Sequence, residues 1–107
     1  MGFGGANMQK MMKQVQKMQA DMVKLQEQLG DMLVEATAGG GAVKIVMTGK
    51  QEVREITLDP DILNPDDVEM IQDLLTAAFN EAMRKSQELA SSEMAKITGG
   101  LKVPGLF

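Results

Sequence analysis

The chain has 107 residues, eleven of them methionine, and a formal net charge of −4 at pH 7. It contains no Cys, His, Trp or Tyr, which excludes disulfides, thiolate metal sites and the commonest general base. With neither a secretory signal nor an apolar run near the ~20 residues that cross a bilayer, we expect a cytoplasmic protein. It should form one domain, residues 1–107, with no metal, cofactor, small-molecule substrate or membrane partner.

The first predicted helix runs from residue 7 to about residue 29, with Asn7 as its N-cap and Gly30 after its end. Its apolar residues recur in alternating steps of three and four, the a/d heptad pattern of a helix that packs along a narrow stripe. We call these positions the seam: Met8, Met11, Val15, Met18, Met22, Leu25, Leu29 and Met32. Such a helix is about 35 Å long, so part of it should project from the body or meet a second chain.

Four lysines lie on the other side of this helix. With Met8 at heptad position a, Lys10, Lys17 and Lys24 occupy position c and Lys13 occupies position f. Residues 1–30 contain these four lysines and only two acidic residues, although the whole chain is acidic. The row is either a solvated helix face or a contact line for a polyanion.

Three short strands follow, over residues 33–37, 43–48 and 52–58, joined by turns at 38–41 and 49–51. Short turns between neighbouring strands predict an antiparallel meander with one face covered. The second strand should place Val43, Ile45 and Met47 on one face of the sheet. The third strand should place Ile56 on one face and Val53 on the other. The triple glycine at 39–41 lacks the spacing of a phosphate-binding loop and is interpreted as a turn.

A second long helix is predicted from Asn64 and Pro65, as N-cap and first residue, to about residue 97. The acidic connector at 59–63 is ordinary turn chemistry. The apolar side expected to cover the sheet contains Val68, Ile71, Leu74, Leu75, Ala78, Ala82, Leu89 and Ala90. The fold class is therefore α+β, in the order α-β-β-β-α, with a flexible leader at 1–6 and a flexible tail at 101–107.

Two pairs on this second helix are further candidates. Phe79 and Met83 flank the apolar side and are candidates for contact with a second copy. The competing candidates on the seam are Met8, Met11, Val15, Met18, Met22 and Leu25. Arg84 and Lys85 form the only adjacent basic pair in the helix, so they either extend the lysine row or are solvated.

Short stretches distributed over nearly the whole chain carry a resemblance. They are Met-Met-Lys-Gln at 11–14, Gln-Lys-Met-Gln at 16–19, Gly-Gly-Gly at 39–41, Val-Lys at 43–44, Met-Thr-Gly at 47–49, Leu-Asp-Pro at 58–60, Asp-Leu-Leu at 73–75, Ala-Ala-Phe-Asn at 77–80 and Thr-Gly-Gly-Leu at 98–101. In this order and spacing they resemble the YbaB/EbfC family of bacterial nucleoid-associated DNA-binding proteins. The resemblance implies a homodimer with protruding helical arms, double-stranded DNA as the partner, a place in the nucleoid and effects on transcription.

Two functions follow as hypotheses. In the first, a dimer binds duplex DNA with weak sequence preference through Lys10, Lys13, Lys17 and Lys24, with Arg84 and Lys85 as weaker candidates. In the second, the methionine-rich helix is a protein-interaction module that does not bind DNA. An enzyme is not expected, because no group of residues has the spacing that catalysis requires.

Overall fold

The computed structural model describes residues 3–99, with side chains from residue 7 onward. Helix α1 (Phe3–Leu29) is followed by strands β1 (Leu33–Ala38), β2 (Val43–Thr48) and β3 (Val53–Leu58), and by helix α2 (Val68–Thr98). The predicted α+β order is confirmed. Helix α1 begins before the predicted cap Asn7, because adding turns to a nucleated helix costs little.

The three strands form one antiparallel sheet in the order β1-β2-β3. The β1–β2 turn contains Gly39, Gly40 and Gly41, with φ of +63°, +67° and +94°. These values lie in the left-handed region that glycine adopts without steric cost. The triple glycine is therefore a hairpin turn, as predicted.

A β-bulge changes which residues of β3 share a face. Val46 pairs with Glu55 but Met47 pairs with Val53, so Arg54 is an extra residue in β3. The extra residue returns Val53 to the face that carries Ile56. The prediction that Val53 and Ile56 lie on opposite faces is therefore wrong, because simple alternation does not hold across a bulge.

Helix α2 packs across β1 and β2 and forms the core with them. The buried cluster consists of Ala36, Val43, Ile45, Met47, Ala78 and Ala82. The two α2 alanines allow a close approach of helix to sheet, and the predicted buried face of β2 is confirmed. Apolar burial of this kind is the main source of stability in a small domain.

The start of α2 differs from the prediction. A 3₁₀ turn, Pro65–Asp67, precedes the helix, and the Asn64 side chain makes no capping hydrogen bond. Instead the backbone N–H of Asp67 donates to the Asn64 carbonyl at 2.9 Å. Val68, expected to cover the sheet, is 50% exposed, because it begins α2 outside the core cluster.

The C-terminal end of α1 is anchored to the sheet, and we call this junction the root. Leu25 and Leu29 are buried there, and the backbone N–H of Gly49 donates to the carbonyls of Leu29 and Met32, at 3.0 Å each. The molecule measures 78 × 24 × 16 Å, so the rest of α1 projects as expected. We call residues 7–24 of this projecting helix the arm.

Candidate nucleic-acid interface

Helix α2 runs back along α1 and covers only the root end of the seam. Ser86 of α2 donates from its Oγ to the Thr48 carbonyl at 2.8 Å, close to the root. Further along, Ile97 lines a shallow groove with Asp21 and Leu25 of α1. The two helices are therefore antiparallel, and because α2 ends at Thr98, it does not extend along the outer arm.

The four arm lysines are all exposed and lie in one row. Among the residues that the structure describes, none of Lys10, Lys13, Lys17 and Lys24 has an ion pair or a side-chain hydrogen bond. At 3.6 residues per turn, the middle of this row is about 140° around the helix from the middle of the seam. From Lys10 to Lys24 the row spans about 21 Å.

The outer half of the seam is an uncovered apolar groove. It is lined by Met8, Met11, Met12, Val15 and Gln16, and its three methionines are 63%, 64% and 58% exposed. By contrast, Leu25, predicted to contact a second copy, is 3% exposed within its own chain. Met18 and Met22 are half-buried between these extremes. The seam thus has an inner half packed on α2 and an outer half that faces solvent.

Arg84 and Lys85 lie on α2 and already have partners. Arg84 is paired with Glu81 and, at 2.5 Å, with Glu88. The hydrogen bond from Arg84 lowers the pKa of the Glu81 carboxyl below its usual value. Lys85 donates from its Nζ to the Glu35 carbonyl of β1 at 2.7 Å. The structure therefore places this pair beside the sheet, away from the arm.

Two basic residues near the arm were not predicted from the sequence. Lys96 lines the same groove as Lys24 and pairs with Glu93 at 2.9 Å. Arg54 donates from its Nη2 to the Gly30 carbonyl at 2.9 Å, at the end of α1, where the helix dipole favours a cation. Knowing that α2 runs antiparallel to α1 would have placed Lys96 beside the arm. No pattern in the sequence predicts the bulge that positions Arg54.

An apolar surface remains open where β3 extends beyond α2, and we call it the shelf. On β3 it contains Val53 and Ile56, which are 43% and 47% exposed on the helix-covered face of the sheet. On α2 it contains Phe79 and Met83. These two residues lie on the flank of α2 nearer β3, because the other flank, which carries Lys85, contacts β1. Phe79 is half-buried and Met83 is 37% exposed. The sequence predicted the helix half of the shelf and missed the strand half.

The sequence matches a known protein family along nearly its whole length. The model of the YbaB/EbfC DNA-binding family matches residues 3–101. The chain belongs to the YbaB/EbfC DNA-binding family. Membership confirms the resemblance seen in the sequence and indicates a DNA-binding, non-enzymatic protein.

Several YbaB/EbfC relatives share more than half of their residues with this chain. A nucleoid-associated protein of Desulforamulus reducens is 63% identical over 96% of this chain and 98% of its own. Another, from Pelotomaculum thermopropionicum, is 59% identical over the same shares. A third, from Ruminiclostridium cellulolyticum, is 59% identical over 99% of this chain and 92% of its own.

A solved structure has the same fold. The crystal structure of uncharacterized protein HP0035 from Helicobacter pylori superimposes with a TM-score of 0.71 at 22% identity. The match covers 92% of this chain and 99% of that one. At this identity the match establishes the fold alone.

Residues 3–99 also bear on metal binding and on membrane crossing. Within that range no group of three or more His, Cys, Asp or Glu side chains is placed to hold a metal ion. Neither of the two described α-helices combines the length and the apolar character that a bilayer crossing requires.

Proposed function

We propose that this protein is a nucleoid-associated protein that binds duplex DNA as a homodimer, with weak sequence preference. The arm lysines Lys10, Lys13, Lys17 and Lys24 would make most of the contacts. The observation that carries the proposal is the row of four exposed lysines on one side of a projecting helix.

The lysine row is long enough to follow several phosphates of DNA. Over about 21 Å of helix, one DNA strand presents roughly six phosphates at about 3.4 Å each. Lysine is a flexible point charge without the planar fork that arginine uses to recognise guanine. Contacts of this kind give affinity that depends on salt and little preference for sequence.

The charge distribution favours an approach of DNA to the arm. The whole chain has 15 acidic and 11 basic residues, so its average field repels DNA. The first 30 residues carry four lysines against two acidic residues. Because salt screens charges beyond about 8 Å under physiological conditions, the local excess on the arm outweighs the more distant acidic body.

The shelf supports the homodimer. Val53 and Ile56 of β3 and Phe79 and Met83 of α2 are partly exposed apolar side chains that a second copy would bury. A symmetric contact made through the shelf would use the same residues on both copies. The dimer would then carry two arms and eight arm lysines.

A salt titration of binding to a DNA duplex tests the proposal. If all eight lysines engage phosphates, log K should fall with log salt with a slope of roughly −7. The variant with Lys10, Lys13, Lys17 and Lys24 all changed to Gln should lose this salt-sensitive binding, since Gln keeps helix propensity and removes the charge. Light scattering checks that the variant keeps the mass of the wild type.

A matched pair of double variants controls for net charge. Lys10→Gln/Lys17→Gln and Lys44→Gln/Lys50→Gln each remove two positive charges, and only the first pair lies on the arm. The Lys10/Lys17 variant should reduce the magnitude of the salt slope by about 3.6, because a dimer loses four lysine contacts. The Lys44/Lys50 variant should leave the slope near the wild-type value. Equal effects would contradict a contact on the arm. If the wild-type protein binds no DNA at low salt, the protein-interaction function takes precedence.

A further inference from the structure

The apolar groove of the arm is lined by residues of α1 alone within residues 3–99. We call this groove, which contains Met8, Met11 and Val15, the outer seam. Met8 and Met11 are 63% and 64% exposed, whereas Leu25, on the same stripe but under α2, is 3% exposed. The outer seam therefore begins where the cover that α2 provides ends.

Helix α2 brings the chain to the inner end of the outer seam. Ile97 lines a groove with Asp21 and Leu25 of α1, and α2 ends one residue later, at Thr98. Because α2 is antiparallel to α1, the chain leaves α2 in the direction of Met8. Residues 100–107 follow, outside the described range, and we call them the distal segment.

The distal segment is long enough to follow the outer seam to its far end. The helix from Asp21 to Met8 is about 20 Å long, at about 1.5 Å per residue. An extended chain of the length of residues 100–107 spans about 26 Å. The segment can therefore pass every residue of the outer seam, with a few ångströms left for a bend.

The composition of the distal segment suits an apolar groove. Its sequence is Gly-Leu-Lys-Val-Pro-Gly-Leu-Phe, in which Lys102 carries the only charge. Pro104 has no backbone N–H and, with the neighbouring glycines, disfavours a continuation of α2. The thioethers of the groove also make favourable contacts with an aromatic ring such as that of Phe107.

We propose that the distal segment packs along the outer seam of its own chain, with Leu106 and Phe107 against the thioethers of Met8 and Met11. The tether selects this occupant, because a short linker gives an effective concentration in the millimolar range. A free partner must instead bind from dilute solution. The contact leaves the shelf and the lysine row open, so it does not depend on the proposed function.

Oxidation by hydrogen peroxide, followed by mass spectrometry, tests the proposal. Peroxide transfers one oxygen atom to the thioether sulfur and leaves as water, and a covered thioether reacts slowly. In residues 7–99, Met8 and Met11 are 63% and 64% exposed and Met70 of α2 is 43% exposed. An open groove predicts that the two arm methionines react at least as fast as Met70. The proposal predicts that they react more slowly than Met70 by about threefold or more.

A serine variant of the distal segment should remove this protection. Leu101, Val103, Leu106 and Phe107 are all changed to Ser, which keeps the length and the charge of the segment. Met8 and Met11 should then react at least as fast as Met70, whose own rate should not change. The matched control is Lys102→Ser/Gly105→Ser, which alters the same segment but keeps its apolar side chains and should keep the protection.

The serine variant also separates this proposal from the lysine contact. Its DNA salt slope should equal that of the wild type, because the lysine row lies about 140° around the helix from the seam. If neither protein binds DNA but the protection of Met8 and Met11 differs between them, the proposed function fails and the packing of the distal segment stands.

A pair of introduced cysteines tests whether the segment packs on its own chain, since the chain has no cysteine. Met8→Cys combined with Leu106→Cys should form a disulfide within one chain, which keeps the monomer mass on a non-reducing gel. In the control, Gln9→Cys replaces Met8→Cys at the same level but on the far side of the helix. We expect its disulfide to form about tenfold more slowly, because disulfides require Cβ atoms about 3.8 Å apart.

Three results would overturn the proposal. Rapid oxidation of Met8 and Met11 in the wild-type chain would show that the outer seam is open. Protection that persists in the serine variant, or that weakens when the protein is diluted, would show that a separate molecule covers the seam. A disulfide that joins two chains, or equal rates for Met8→Cys and Gln9→Cys, would show that the distal segment does not pack on its own arm.

Discussion

Changing Gly49 to alanine should loosen the root, where α1 meets the sheet. A Cβ atom on Gly49 would lie 2.8 Å from Leu29 Cδ2 and 3.0 Å from the Leu29 carbonyl oxygen. The side-chain contact could be relieved by a rotamer change, but the contact with the backbone oxygen could not. The N–H of Gly49 also donates to that oxygen at 3.0 Å, so separating the two segments would stretch the hydrogen bond.

Overpacking of this kind costs about 1–3 kcal/mol of unfolding free energy. For a chain of this size, each kcal/mol lowers Tm by about 4–8 °C. The assay is thermal unfolding followed by circular dichroism, at one protein concentration for all variants because oligomers have concentration-dependent Tm values. Amide hydrogen exchange in residues 25–32 should also accelerate, since local opening of the root becomes easier.

Gly30→Ala is the matched control. It makes the same chemical change at the same junction, but its Cβ would meet no atom closer than 3.5 Å, at the Glu27 carbonyl. We expect its Tm to stay close to the wild-type value. If Gly49→Ala and Gly30→Ala have the same Tm, the close packing of Gly49 against Leu29 does not hold the root.

Three further predictions concern single side chains. Leu25→Ala should lower the unfolding free energy by about 2–5 kcal/mol because it opens a cavity at the buried root, whereas Val23→Ala, at an exposed site, should change it by about 0.5 kcal/mol or less in urea unfolding. Ser86→Ala should cost about 1 kcal/mol in the same assay, since it removes a buried hydrogen bond. Arg84→Gln should raise the pKa of Glu81 towards its usual value in an NMR pH titration, because the pairing guanidinium is gone, and should leave the DNA salt slope unchanged.

The local patterns that predicted the fold are those that depend on one stretch of chain. The heptad spacing of the seam, the alternation of Val43, Ile45 and Met47 and the triple glycine each specify a structure over a few residues, and each is confirmed. Family resemblance added the function class, which the match over residues 3–101 supports.

The errors arose where two segments interact. Arg54 becomes an extra residue only when β3 pairs with β2, so the sequence of β3 alone placed Val53 on the wrong face. Val68 belongs to the apolar stripe of α2, but whether the sheet reaches it depends on where the helix crosses the strands. A DNA contact by Arg84 and Lys85 stays a prediction, although Arg84 has carboxylate partners on α2 and Lys85 has a carbonyl partner on β1.

The lysine row on α1 was visible in the sequence because it depends only on helical spacing. The position of Lys96 beside this row could not be predicted from the sequence, because it depends on α2 packing antiparallel to α1. The shelf was half predicted for a similar reason. Helix periodicity located Phe79 and Met83, whereas the exposure of Ile56 follows from α2 being too narrow to cover a third strand.

The hydrogen bond from Arg54 to the Gly30 carbonyl has a mechanical consequence. Helix α1 has 27 residues and acts as a lever about 40 Å long whose fulcrum is at this bond. A tilt of about 10° at the fulcrum would move the far end by about 7 Å, which is twice the rise between phosphates along a DNA strand. Small angular changes at the root are thus amplified along the lever, so the bulge that positions the Arg54 guanidinium bears on where the lysines proposed to contact phosphates lie.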